Sequence, residues 1–164
     1  GVNAFGYSFI EDDQKKANKE KMRELGLSSS PKIGKLKEGE EIEWKGNKIS
    51  PEDVIEDMPG RKVVYSGDTS KCDNLIDYAN QADLLIHEST CMHEIIDDRR
   101  GHTSAKQAGQ IARQANVQKL VLTHISRRYQ EKEEELLEEA KKEFKQTEIG
   151  DDGEKFEVKP HRPE

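Results

Sequence analysis

The sequence predicts an α/β domain, a largely parallel sheet with helices packed on it, interrupted near its start by a polar insert. From about residue 60 onward, short β-branched apolar runs alternate with helical patterns, and alternation of that kind demands crossovers. Several runs end on a small cluster of polar residues, as in Lys62-Val63-Val64-Tyr65-Ser66-Gly67-Asp68-Thr69, which is how a buried strand delivers one carboxylate to the rim of a sheet. Between residues 13 and 58, by contrast, large apolar residues thin out and lysines gather.

In chain order, residues 4–10 read as a strand, with Gly6 marking a bulge or a close backbone approach. A helix through Asn18–Leu25 follows, capped by Asp12 or Asp13 and closed by Gly26, and its few apolar residues make it a weak packer. Ser28-Ser29-Ser30-Pro31 marks a bend. Residues 41–44 and 48–49 form a small hairpin with its turn at Gly46-Asn47, covered by Trp44, and Ser50-Pro51-Glu52-Asp53 has the capping-box start of a short helix. Strand (62–66), helix (71–79), strand (83–87), an irregular stretch, helix (104–115), strand (118–123), helix (131–144) and a last strand (155–159) complete the order. The helix at 104–115 sets Ala105, Ala108, Ile111, Ala112 and Ala115 on one face, small enough to lie close to a sheet. The helix at 131–144 buries Leu136, Leu137, Ala140 and Phe144 and turns an acidic face to solvent.

Composition bounds the function. With 164 residues, 32% hydrophobic and 37% charged, the chain supports one domain with a thin core. A net charge of -7 argues against the whole chain as a nucleic-acid binder, but residues 15–37 hold eight basic against two acidic residues, a net of +6 that leaves -13 for the remainder. Lys32, Lys35 and Lys37 close this basic segment, which is either a solvated loop or a phosphate-binding surface. Cys72 and Cys91, without CxxC spacing, point to a reducing compartment, and no run approaches the roughly 20 apolar residues of a membrane span. A cytoplasmic protein without a membrane partner is expected. The chain opens without Met on a strand already under way, as a piece of something longer does.

Four residues at or after strand ends carry the chemistry. Asp68 and His124 are the donor types that suit zinc or a similar divalent ion, but structural zinc sites need four ligands and catalytic sites three plus water. His87, inside Leu84-Leu85-Ile86-His87, reads as a hydrogen-bonded core histidine, and His93 and His161 as surface ones. His102 precedes the capping pair Thr103-Ser104, and with Glu88 it forms a pair able to pass a proton to a leaving group near neutral pH. Arg127 and Arg128, just past His124, are candidates to hold a phosphate by charge-assisted bonds.

Ser66-Gly67-Asp68-Thr69, His87-Glu88-Ser89-Thr90, His102-Thr103-Ser104-Ala105 and Leu122-Thr123-His124-Ile125-Ser126-Arg127-Arg128-Tyr129 come in an order and spacing that resembles the RNase Z family, tRNA 3′-processing endonucleases of the metallo-β-lactamase superfamily. The resemblance implies half of an αβ/βα sandwich, formed by residues 1–12 and 59–164, with residues 13–58 as a protruding basic α+β arm that grips tRNA. It further implies that Asp68 bridges two zinc ions, with manganese an alternative, and that His124 ligates one of them. By the same resemblance Glu88 and His102 protonate the departing 3′ oxygen, Arg128 meets the scissile phosphate, and the arm lysines Lys32, Lys35 and Lys37 contact precursor tRNA. The family's HxHxDH motif does not occur here, and Ser30-Pro31 stands where the arm usually carries Gly-Pro. The expected protein is therefore the carboxyl-terminal half of a homodimeric zinc endoribonuclease, inactive alone, exposing an apolar sheet face to its missing amino-terminal half. A superfamily phosphodiesterase with a small substrate and a non-catalytic RNA-binding fragment are the alternatives.

Overall fold

The computed structural model describes residues 3–27, 30–96 and 101–160. They form two compact units, one of Gly1–Glu11 with Arg61–Lys159, the other built on Asp12–Gly60.

The first unit is a five-stranded sheet in the order β1-β6-β7-β8-β9, with β1 Tyr7–Ile10, β6 Lys62–Tyr65, β7 Leu84–Glu88, β8 Leu120–Thr123 and β9 Thr147–Ile149. The four later strands are parallel and β1 runs antiparallel along β6, so the sheet is largely parallel. Helices α4 (Asp73–Ala79), α5 (Ala105–Gln114) and α6 (Glu133–Glu143) supply the crossovers. Val64, Leu85, Leu120 and Leu122 pack with Leu75, Ala108, Ile111, Ala112, Leu136 and Ala140 of the helices in one core. Each fully buried Leu or Ile there contributes about 1.5–3 kcal/mol. The small-residue face of α5 is as expected, and its fifth position, Gly109, lies so close to α6 that a Cβ there would sit 2.7 Å from the Ala140 carbonyl oxygen.

The opposite face of the sheet carries the alternate positions, Tyr7, Phe9, Val63, Tyr65 and Ile86. Tyr7 is 59% and Phe9 63% exposed, so the exposed apolar face is present. Gly6 also behaves as expected, since a Cβ there would come within 2.9 Å of the Tyr65 carbonyl oxygen.

Three expectations fail in this unit. The last strand is Thr147–Ile149, not 155–159, because Leu122 pairs with Ile149 and residues 155–159 form no ladder. The acidic face of α6 is not all solvated: Glu139 accepts the backbone N–H of His93 (3.1 Å) and of Lys106 (3.0 Å) in the first turn of α5, and Glu143 pairs with Arg113 at 3.2 Å. His93 is accordingly half-buried, its Nδ1 3.1 Å from Ser104 Oγ, rather than a surface residue. His161 lies outside the described residues.

The second unit has its own small core of Leu27, Leu36, Ile42, Ile49 and Val54. Strand β2 (Gln14–Ala17) pairs antiparallel with β5 (Ile55–Met58), a ladder the polar composition concealed. The first helix, α1 (Lys19–Glu24), is capped by Asn18, whose side chain accepts from the N–H groups of Glu20 and Lys21; Asp12 and Asp13 are displaced from that role because β2 intervenes. Its end is a Schellman turn, with Gly26 at φ +63° and Leu27 N–H donating to the Met22 carbonyl at 2.8 Å. Lys32–Lys37 form a second short helix, α2, and Ser28-Ser29 of the expected bend lie outside the described residues. The hairpin of β3 (Ile42–Trp44) and β4 (Asn47–Ile49) turns at Lys45-Gly46, both at positive φ, rather than at Gly46-Asn47, because Trp44 pairs with Asn47. Ser50 and Asp53 form the capping box of α3 (Pro51–Val54) as read.

Two predictions arise here. Gly109→Ala gains about 1 kcal/mol of helix propensity yet overpacks α5 on α6. A net loss of about 1–2 kcal/mol is expected in urea unfolding, and a variant as stable as the parent would show that the two helices separate freely. The second concerns Glu11, whose carboxylate is held by Arg61 through its side chain and backbone N–H, lowering its pKa from 4.5 to about 2. Because the folded value lies below the unfolded one, the stabilisation is complete above about pH 4.5 and fades as pH falls towards 2. Thermal melts should therefore separate Glu11→Gln from the parent at pH 7 and bring them together near pH 2.

Candidate metal and acid–base site

The site forms where β6, β7 and β8 end. Strand β6 ends at Tyr65, and Ser66 and Gly67 turn the chain so that Asp68 sits on the rim. Gly67 has φ +62°, and a Cβ there would meet the Phe5 carbonyl oxygen at 2.3 Å, so the turn admits no larger residue. Ser66 Oγ accepts the Glu88 N–H at 3.0 Å and donates to the Gly67 carbonyl at 2.7 Å, tying this turn to the end of β7.

Glu88 closes β7 and is 1% exposed. Burying a carboxylate costs several kcal/mol unless donors surround it. Here Oε1 accepts the Thr69 N–H (2.9 Å) and His102 Nδ1 (2.9 Å), while Oε2 accepts the Thr90 hydroxyl (2.8 Å) and, at 3.3 Å, the Thr90 N–H. His102 reaches Glu88 from the segment before α5, where Ser104 and Gln107 close a capping box. Thr103 Oγ1 donates to the Thr69 carbonyl at 2.6 Å, and Thr90 N–H to the Thr103 carbonyl at 3.0 Å, which lace these loops together.

His124 follows β8 at φ +54°, a left-handed backbone that a non-glycine residue adopts at a cost of about 1–3 kcal/mol. Its Nε2 lies 3.3 Å from Asp68 Oδ2, its Nδ1 lies 3.0 Å from Thr90 Oγ1, and its ring stacks on that of His102 with centroids 5.1 Å apart and planes at 22°. Asp68 and His124 are both about half exposed, open to an incoming ion.

Ligand atoms of Glu88, His102 and His124 also lie within 4.8 Å of one another. Glu88 is nevertheless a poor ligand, since both oxygens already receive hydrogen bonds. The exposed carboxylate of Asp68 and the imidazole of His124 fit a divalent ion better. They are two ligands, and zinc requires at least three from protein.

The structure thus brings Asp68, Glu88, His102 and His124 together. Arg128 lines a small cavity with Thr90, Cys91, Ile95, Ile96, Ser126 and His102, beside the hydrogen-bonded Glu88 and His102. Lys32, Lys35 and Lys37 belong to the second unit: Lys32 donates to the Glu43 carbonyl and lies over Trp44, Lys35 is 3.8 Å from Glu40, and both Lys35 and Lys37 are exposed. His87 is fully buried as read, its Nδ1 donating to the Glu88 carbonyl at 2.7 Å, and burial lowers its pKa, keeping it neutral. Thr69, Thr90 and Ser66 give no signal of their own in the sequence: they stand inside the same motifs, but hydroxyl and backbone donors have no pattern.

A β-lactamase superfamily domain matches residues 53–125. The chain is 46% identical over 162 residues to a ribonuclease Z of Archaeoglobus fulgidus, covering 96% of this chain and 53% of that protein. It is 37% identical over 165 residues to a ribonuclease Z of Methanosarcina acetivorans, covering 98% and 54% respectively. The chain spans about half the length of the curated relatives it matches. Among solved structures, a metallo-β-lactamase fold protein from Bacillus subtilis superposes with a TM-score of 0.52 at 33% identity, over 55% of this chain and 37% of that one.

Gly67→Ala should lower stability by about 1–3 kcal/mol in urea unfolding, since the new Cβ meets a backbone oxygen at a left-handed position. Unchanged stability would mean that the turn presenting Asp68 has room to shift.

Proposed function

Because the chain belongs to the ribonuclease Z family of the β-lactamase superfamily, we propose that it is the acid–base half of a zinc-dependent endoribonuclease that removes the 3′ trailer of precursor tRNA. The observation that carries this reading is the gathering of Glu88, His102, His124 and Asp68 at three strand ends, with Glu88 hydrogen-bonded to His102. A phosphodiester whose leaving group is a ribose 3′ oxygen needs a positioned acid, and this pair is one.

His102 Nδ1 is committed to Glu88, so Nε2 is the atom that faces a substrate and gives the proton. The buried Glu88 carboxylate stabilises the cationic imidazole before transfer and keeps the ring oriented afterwards. Arg128, from the wall of the adjoining cavity, contributes a guanidinium to the phosphate oxygens. Asp68 and His124 Nε2, together with histidines from a complementary half carrying HxHxDH, would hold zinc, which would supply a Lewis acid for activating water and balancing phosphate charge. That half covers the apolar face bearing Tyr7, Phe9 and Tyr65. The second unit, with Lys32, Lys35 and Lys37, contacts the tRNA body through its phosphates, giving shape selection without base reading. The assembled enzyme works as a homodimer in the cytoplasm.

The test is reconstitution with an amino-terminal half carrying HxHxDH, assayed on precursor tRNA. Cleavage yielding a 3′ hydroxyl is expected, and His102→Ala in the assembled enzyme should lower kcat by about 10²–10⁴. Deleting residues 13–58 should abolish tRNA cleavage yet spare a small chromogenic phosphodiester. An enzyme that loses neither activity on that deletion acts on small substrates, and a His102→Ala enzyme of full activity would remove the acid role.

A further inference from the structure

We propose that Thr90 is a positioning residue that fixes His124 in the tautomer with Nδ1 protonated and Nε2 bare, and so aims this ligand at the metal from the same carboxylate that orients His102. The inference rests on the reading of His124 as a ligand, but it follows from hydrogen-bond accounting at one hydroxyl.

Thr90 Oγ1 lies 2.8 Å from Glu88 Oε2 and 3.0 Å from His124 Nδ1. A hydroxyl has one proton and two lone pairs, whereas an ionised carboxylate only accepts. Glu88 is surrounded by donors: the Thr69 N–H and His102 Nδ1 occupy Oε1, and the Thr90 N–H, bonded to the Thr103 carbonyl at 3.0 Å, is shared with Oε2 at 3.3 Å. The Thr90 proton therefore goes to Glu88 Oε2, and the oxygen is left to accept. Among the described residues, the hydrogen placed to meet it is the one on His124 Nδ1. That protonation leaves Nε2 with its lone pair, 3.3 Å from Asp68 Oδ2 and about half exposed. In the other tautomer two lone pairs would face each other across 3.0 Å, or the hydroxyl would have to abandon the buried carboxylate.

His102 is held in the same sense, Nδ1–H to Glu88, without an intermediary. The two rings stack nearly parallel, at 22°, so both present Nε2 from the same carboxylate, one directly and one through Thr90. A metal-ligating histidine needs its second nitrogen anchored, and loss of such an anchor costs about 10–100-fold in metal affinity. Thr90 supplies that anchor.

The test is two-bond ¹H–¹⁵N correlation NMR of the imidazoles in the metal-free chain at pH 8.5, with His124 assigned through His124→Gln. The parent should show His124 protonated on Nδ1, and Thr90→Ser, which keeps the hydroxyl, should match it. Thr90→Val, which keeps the branched shape, should lose the Nδ1–H form at His124 while His102 keeps its own, and in the complete enzyme Thr90→Val should weaken zinc binding by about 10–100-fold. The proposal is overturned if the parent carries the His124 proton on Nε2, if Thr90→Val keeps it on Nδ1, or if Thr90→Ser behaves as Thr90→Val. The parent spectrum decides the tautomer even where Thr90→Val does not fold. Failure of tRNA cleavage alongside the expected spectra would remove the RNA reading and leave the role of Thr90 in place.

Discussion

The buried carboxylate of Glu88 is the constraint on which the site depends. A carboxylate at 1% exposure is tolerated only where donors replace water, and the donors it has recruited come from three separate stretches of chain. Thr69 N–H belongs to the turn that carries Asp68, His102 to the approach to α5, and Thr90 to the loop after β7. Satisfying one buried charge therefore fixes His102, the turn that carries Asp68 and the contact to His124 at once. Each charge-assisted bond is worth about 1.5–3 kcal/mol net, so the carboxylate rigidifies the rim rather than destabilising it.

Two backbone positions complete the arrangement at a local cost. Gly67 and His124 both lie in the left-handed region, at φ +62° and +54°, one just before Asp68 and the other 3.3 Å from its carboxylate. Strain of this kind persists only where surrounding structure over-determines it. Around Gly67 that structure is the Phe5 carbonyl and the Ser66 hydroxyl; around His124 it is the Thr90 hydroxyl and the stacked ring of His102. Asp68 and His124 are thus held in place by contacts within the chain.

How far the sequence speaks for itself can be judged from particular residues. Strands β6, β7 and β8 and helix α5 were legible because fully buried parallel strands are apolar throughout and because α5 repeats small residues at helical spacing. The pairing of Glu88 with His102 was legible because both stand at element ends, where side chains are delivered to a rim. Strand β2 was hidden because Gln14, Lys15 and Lys16 are exposed ladder residues with no alternation to reveal them. The true last strand, Thr147-Glu148-Ile149, is too short to carry a period, and residues 155–159 carry a better one without pairing. Glu139 was misread because a charged position on a helix gives no sign that a neighbouring helix will turn its N–H groups towards it. Thr90 was missed for a related reason: its role is set by His124, 34 residues away.

The same accounting explains why the site looks half built. Asp68 and His124 are exposed and number two, while Glu88 and His102 are satisfied within the chain. Acid–base chemistry needs a buried, oriented pair, and such a pair assembles from one sheet and its own crossovers. A bridging metal needs ligands converging from more than one side, and a single sheet rim offers only one. Asp68 and His124 lie on the rim of the sheet whose apolar face carries Tyr7, Phe9 and Tyr65, so under the proposed function one complementary layer would both add ligands and cover that surface.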